Sequence, residues 1–183
     1  MAKIKLTDFK KFIGQMTEEE MRNELTILFS KLPQVHDYYA QELLSPQDRK
    51  KILDEYKKKV YNQFWTRTGN PRNTSNAEVR KIITAFEKVS VMPKEVVELL
   101  LYRVDVMLDQ ANQFGGLAEA DYNAAINAYE KALKIITKEK LESYFKDECV
   151  ELARDRGNMD YWTIEQMEEL NETYLGIESG GGF

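Results

Sequence analysis

An all-α fold is predicted by three observations. Helix start signals precede most of the apolar runs: Thr17 to Glu20, Ser75 to Glu78 and Thr163 to Gln166 fit the S/T-x-x-E/Q capping box, and Ser45-Pro46-Gln47-Asp48 places a capping hydroxyl before a first-turn proline. Apolar residues recur at steps of three and four, and no segment alternates over a strand's length. Breakers are scarce in the 183 residues, with 9 glycines and 4 prolines, and three of those glycines lie in the last four positions.

The elements follow in order. Leu6, Phe9 and Ile13 mark a short helix over 4–13, with Gly14 expected to end it in the left-handed conformation. Met21, Leu25, Leu28 and Leu32, at steps of 4, 3 and 4, predict a helix over 18–31 that Pro33 stops. A third helix is expected over 34–44. After the Ser45 cap, Ile52, Tyr56, Val60 and Phe64 share one face of a long helix over 46–66. Thr68 to Thr74 reads as a loop and is the candidate internal boundary of a single domain over 1–178.

Val79, Ile82, Ile83 and Phe86 place a helix over 76–89. Pro93 opens the next, whose broad apolar face carries Val97, Leu100, Leu101, Val104, Leu108 and Ala111 until Gly115-Gly116. Tyr122, Ala125, Ile126, Tyr129, Leu133 and Ile136 form a seventh helix. Leu141, Phe145, Cys149 and Leu152 form an eighth, stopped by Gly157-Asn158. A ninth, after the Thr163 cap, carries Ile164, Met167, Leu170, Tyr174 and Ile177. Residues 179–183 read as a flexible tail. The short connections favour antiparallel neighbours, as an irregular bundle or a short stack of helical hairpins.

Composition narrows the function classes. Apolar residues at 43% and aromatics at 11% suit a folded domain. No stretch approaches the ~18 apolar residues of a membrane span. The charged start and the single cysteine, Cys149, favour a cytoplasmic protein. Net charge is −5, but between Arg49 and Lys81 ten basic residues meet only Asp54, Glu55 and Glu78, a balance of +7. From Glu139 to Glu178 the balance is −8. Such asymmetry marks either an anionic partner or two surfaces that face each other.

Candidate chemistry is sparse. His36 and Cys149 are the only members of their types, too few for a structural zinc site, and Cys149 falls on an apolar face as a small hydrophobe. Glu98, Asp105, Asp109 and Asn112 share one face of the helix that Pro93 opens, a candidate set of hard-cation ligands or an acid–base pair. The same spacing describes a solvated outer face. Lys50, Lys57, Lys58, Arg67 and Arg72 could follow a phosphate backbone, with Trp65 stacking on a base. Lys57, Lys58 and Lys59 are consecutive, however, and splay by about 100° each around a helix. No cofactor is expected.

Asp121 to Leu133 resembles the second helix of a tetratricopeptide repeat, with Ala125, Tyr129 and Ala132 at its small, aromatic and small positions. The usual proline is missing near Thr137, Gly115-Gly116 interrupts the upstream pairing, and no second copy follows. This resemblance implies a helical hairpin, not an array. The chain as a whole is similar to an uncharacterised bacterial family of all-helical proteins, a domain of unknown function. The similarity lies in Lys3 to Lys11 and in Val79 to Arg154, including Ala85-Phe86, Leu100-Leu101-Tyr102 and Tyr129 to Leu133. It implies a fold and carries no functional residue.

The expected function is a non-catalytic interaction or scaffold protein that presents a groove between hairpins to a peptide or partner protein. Homo-oligomers are compatible with this and membrane partners are not expected. The alternatives are a nucleic-acid-associated protein using 49–81 and an enzyme with its carboxylates at Glu98, Asp105 and Asp109.

Overall fold

The computed structural model describes residues 5–154 and 161–177. Among them run nine helices: α1 (Leu6–Ile13), α2 (Glu18–Lys31), α3 (Pro33–Leu43), α4 (Pro46–Phe64), α5 (Asn76–Val89), α6 (Pro93–Phe114), α7 (Glu119–Glu139), α8 (Glu142–Leu152) and α9 (Tyr161–Leu175). No described residue belongs to a strand, and an isolated bridge joins Trp65 to Pro71. The fold is all-α.

The start signals act as the residues dictate. The Thr17 hydroxyl accepts from the Glu20 N–H at 3.3 Å, and the Glu20 carboxylate accepts from the Thr17 N–H at 2.8 Å. That second bond holds the Glu20 carboxyl below its ordinary range. Ser45 accepts from the Asp48 N–H at 3.2 Å, with Pro46 in the first turn of α4. Ser75 caps α5 through the Glu78 N–H at 3.4 Å.

Three expectations are corrected. Gly14 keeps a right-handed conformation, φ −69°, because its N–H still bonds back to Lys10. Thr163 lies inside α9 and is fully buried, so it packs inward and does not cap. Helix α4 stops at Phe64, where Trp65 turns to an extended conformation. The expected stop at Gly157-Asn158 and the tail over 179–183 lie outside the described residues.

The chain divides into two compact units, Met1–Leu44 and Ser45–Phe183. In the first, α2 packs on α3, and the Phe29 ring lies 4.9 Å from that of His36. No described residue of this unit is buried.

The second unit holds the core, and the loop over 68–74 lies within it. Its centre is α6, buried around most of its circumference, as an apolar helix must be when neighbours cover it on several sides. Helices α4, α5, α7 and α8 all pack against it. The small residues Ala125, Ala128 and Ala132 of α7 are buried beside Tyr129, and α7 in turn carries α9. Among the described residues no helix is long and apolar enough to cross a membrane.

Candidate functional site: a groove between two helical hairpins

Hairpin α4–α5 and hairpin α6–α7 meet at their connections. The α4–α5 connection is closed on itself: Thr66 donates to Asn70 at 2.8 Å, Gly69 to Thr66 at 3.0 Å, and Arg72 to the Phe64 carbonyl at 2.8 Å. The Thr74 hydroxyl donates to the Gln63 carbonyl at 3.1 Å. Gln110 of α6, 6% exposed, fastens the loop by donating to the Phe64 carbonyl at 3.1 Å and the Arg72 carbonyl at 3.4 Å. A buried amide shared between two carbonyls fixes the loop on the helix.

The α6–α7 turn is set by Gly115, φ +76°, whose left-handed conformation favours glycine. Gly116 then donates back to Ala111 at 2.9 Å. Between loop and turn lies an open groove of about 590 Å³. Arg72, Asn73 and Thr74 line one side and Phe114, Leu117 and Ala118 the other. Phe114 is 53% exposed and rests 5.8 Å from the buried Trp65 ring, which lies 6.3 Å from the Tyr61 ring. Ala118 is the N-cap of α7 and offers no side-chain acceptor to the first-turn N–H groups.

Asp121, also on the groove wall, accepts from the Asn76 side-chain amide at 2.6 Å. The Asn76 side-chain oxygen Oδ1 accepts from Arg103 at 3.3 Å. Arg103 is 4% exposed and its Nε has no hydrogen-bond partner. Burial, with Arg80 nearby, lowers its pKa to about 10, and Asp121 opposes that shift.

Five of the ten basic residues of the segment make ion pairs. Arg49 pairs with Glu95 at 3.1 Å with both side chains mostly covered. Lys50 pairs with Asp54 at 2.9 Å, Lys51 with Asp48 at 2.8 Å, Lys57 with Glu98 at 3.5 Å and Lys81 with Glu78 at 2.6 Å. Lys58 and Arg67 are exposed, and the Arg72 Nε donates to the Trp65 carbonyl at 3.2 Å. Trp65 is 5% exposed, so it offers no face to a base. The acids that answer α4 from another helix come chiefly from α6, where the sequence had pointed to 139–178.

Among the described residues no group of three or more His, Cys, Asp or Glu is placed to hold a metal ion. Glu98, Asp105 and Asp109 are therefore not brought together as ligands. Glu98 instead faces Lys57, whose Nζ also lies 5.6 Å from the Tyr102 ring centre. Glu148 reaches the same region from α8. Partial desolvation pushes its carboxyl up, Lys57 pulls it down, and Glu98 and Asp105 push it up again. Its residue as a whole remains exposed.

Cys149 is fully buried, and burial raises its thiol to about 11. A protonated, inaccessible thiol is no nucleophile. His36 belongs to the first unit.

The residues that the sequence reading missed are polar positions within apolar helices: Gln110 and Arg103 on α6, Asn171 on α9, and the Asn76–Asp121 pair. A polar residue interrupting an apolar stripe is the available signal, because burial requires it to find a partner.

No curated protein and no solved structure matches the chain. A family model does match, over residues 2–175, and by that match the chain belongs to DUF6155, a family of unknown function.

Proposed function

We propose that the protein is a non-catalytic helical adaptor that takes a short peptide segment of a partner protein into the groove between hairpins α4–α5 and α6–α7. The observation that carries this reading is the pairing of an exposed aromatic wall, Phe114, with a helix start at Ala118 that has no side-chain cap, across a gap whose α4–α5 side is held by the Gln110 hydrogen bonds. An apolar side chain of the segment packs on Phe114. A neighbouring carboxylate meets the first N–H groups of α7 and the Arg72 guanidinium. The first turn of α7 carries Glu119 and Asp121, and Asn76 already engages the Asp121 carboxylate. Walls fixed before binding reduce the ordering cost of complex formation.

The test is selection of peptides from a random display library on the full chain, followed by fluorescence anisotropy of a synthetic hit. Acidic–apolar segments are expected, with affinity falling at least about tenfold on Phe114→Ala while urea unfolding stays cooperative. Hits of no common chemistry, or binding indifferent to Phe114→Ala, would sink the reading. Tight oligonucleotide binding that weakens steeply with salt would instead favour a nucleic-acid role.

A further inference from the structure

We propose that the N-terminal unit is a self-association module, in which α2 of one chain pairs antiparallel with α2 of a second copy, with α1 completing the apolar seam. No described residue of the unit is buried. Seven of the eight α1 residues are exposed, and no residue of α2 is buried. Leu6, Phe9 and Phe12 are 68%, 49% and 53% exposed, and Met21, Leu25 and Leu32 are 40%, 46% and 43% exposed. These six side chains, at roughly 100 Å² each, half the area of a large side chain, offer roughly 600 Å² to the seam. That is the upper end of the largest patch a typical monomer leaves open, about 300–600 Å².

Spacing and charge select a second copy. Met21, Leu25, Leu28 and Leu32 occupy the two apolar positions of a heptad. In that register Glu24 and Lys31 both flank the seam at the position before the one held by Leu25 and Leu32. An antiparallel two-fold pair brings Glu24 of each chain against Lys31 of the other, twice over. A parallel pair makes no such contact. The acidic start of α2 at Glu18, Glu19 and Glu20 also meets the far end of its partner, and the two helix dipoles oppose. The same three glutamates, beside the apolar face, argue against an anionic lipid surface as the occupant.

Sedimentation velocity of the full chain from roughly 1 to 100 µM tests the proposal, across the micromolar range where such interfaces dissociate. A dimer is expected. Leu25→Glu with Leu32→Glu should weaken it at least tenfold, leaving the unfolding midpoint of the second unit unchanged. Glu24→Lys alone should also weaken it, and adding Lys31→Glu in the same chain should restore it. A monomer at every concentration would overturn the proposal, and so would failure of the charge exchange to rescue. Flotation with phosphatidylserine vesicles should be negative, and binding there that Leu25→Glu abolishes would assign the face to a membrane. Groove variants are expected to remain dimeric, so failure here and failure of the peptide reading are separately visible.

Discussion

The Tyr129 hydroxyl stands 2.7 Å from the side-chain carbonyl of Asn171, inside the apolar core. It also lies 2.9 Å from the Cys149 backbone carbonyl, to which the Asn171 amide donates at 3.3 Å. Three helices, α7, α8 and α9, thus share one buried polar knot. Tyr129 and Cys149 are fully buried and Asn171 is 4% exposed. Burial raises the phenol's pKa, so it remains a protonated donor.

Tyr129→Phe removes that donor and leaves the Asn171 carbonyl oxygen without it. A loss of about 1–3 kcal/mol is expected, read as a lower urea midpoint at unchanged slope. Asn171→Ala should cost more, because it removes both partners and opens space. The double substitution should cost less than the two together, since the groups act as one network. Additive losses would mean that the knot is not a unit.

The Cys149 thiol gives a pH signature. Its pKa is about 11 in the folded chain against 9.0 for an ordinary thiol. A raised acid stabilises the folded state fully below pH 9, and that contribution is lost as pH rises from 9 through about 11. The loss is on the order of 2 kcal/mol. Cys149→Ala should flatten this part of the stability curve, although Tyr129 adds an alkaline decline of its own. In the native chain the thiol should react with Ellman's reagent only as fast as the unit opens.

The helices were legible because each carries its own local chemistry. Thr17, Ser45 and Ser75 announce their helices with side chains that bond within three residues, and periodicity reports burial directly. Thr163 shows the limit: the same motif inside a helix becomes a buried hydroxyl, and only tertiary packing decides between them. The groove was illegible because Gln110 fastens backbone carbonyls and Asn76 the Asp121 carboxylate, at separations of 46 and 45 residues along the chain. Composition records charge and not its partners, so it could not tell that Trp65 is buried or that Lys50, Lys51 and Lys57 of α4 are paired. Glu95 and Glu98 lie far along the chain from Arg49 and Lys57, yet answer them directly.

Arg103 gives a third prediction. It is a buried cation whose one described hydrogen bond runs to Asn76. Asn76→Ala should cost about 3 kcal/mol or more, because it strands a charge and frees Asp121 at once. Arg103→Met keeps the volume and removes the charge, so it should be far milder than Asn76→Ala, and neutral or stabilising. Equal losses in urea unfolding would show that the cation is held by something other than this network.

The last prediction separates stability from binding at one position. Ala118 has the extended conformation of an N-cap, φ −65° and ψ 148°, but no side-chain acceptor. Ala118→Ser supplies a hydroxyl to the first-turn N–H groups and should stabilise the fold by about 0.5–2 kcal/mol. It adds no charge, so an acidic–apolar peptide should still bind. Ala118→Asp supplies the same cap and a negative charge on the groove wall, where the peptide carboxylate is to sit. Binding should fall at least about tenfold while the urea midpoint stays at or above that of the parent chain. A variant that folds as well or better and binds worse cannot be explained by unfolding. Retained binding in Ala118→Asp would place the peptide elsewhere, and loss in both variants would show that bulk, not charge, governs the helix start.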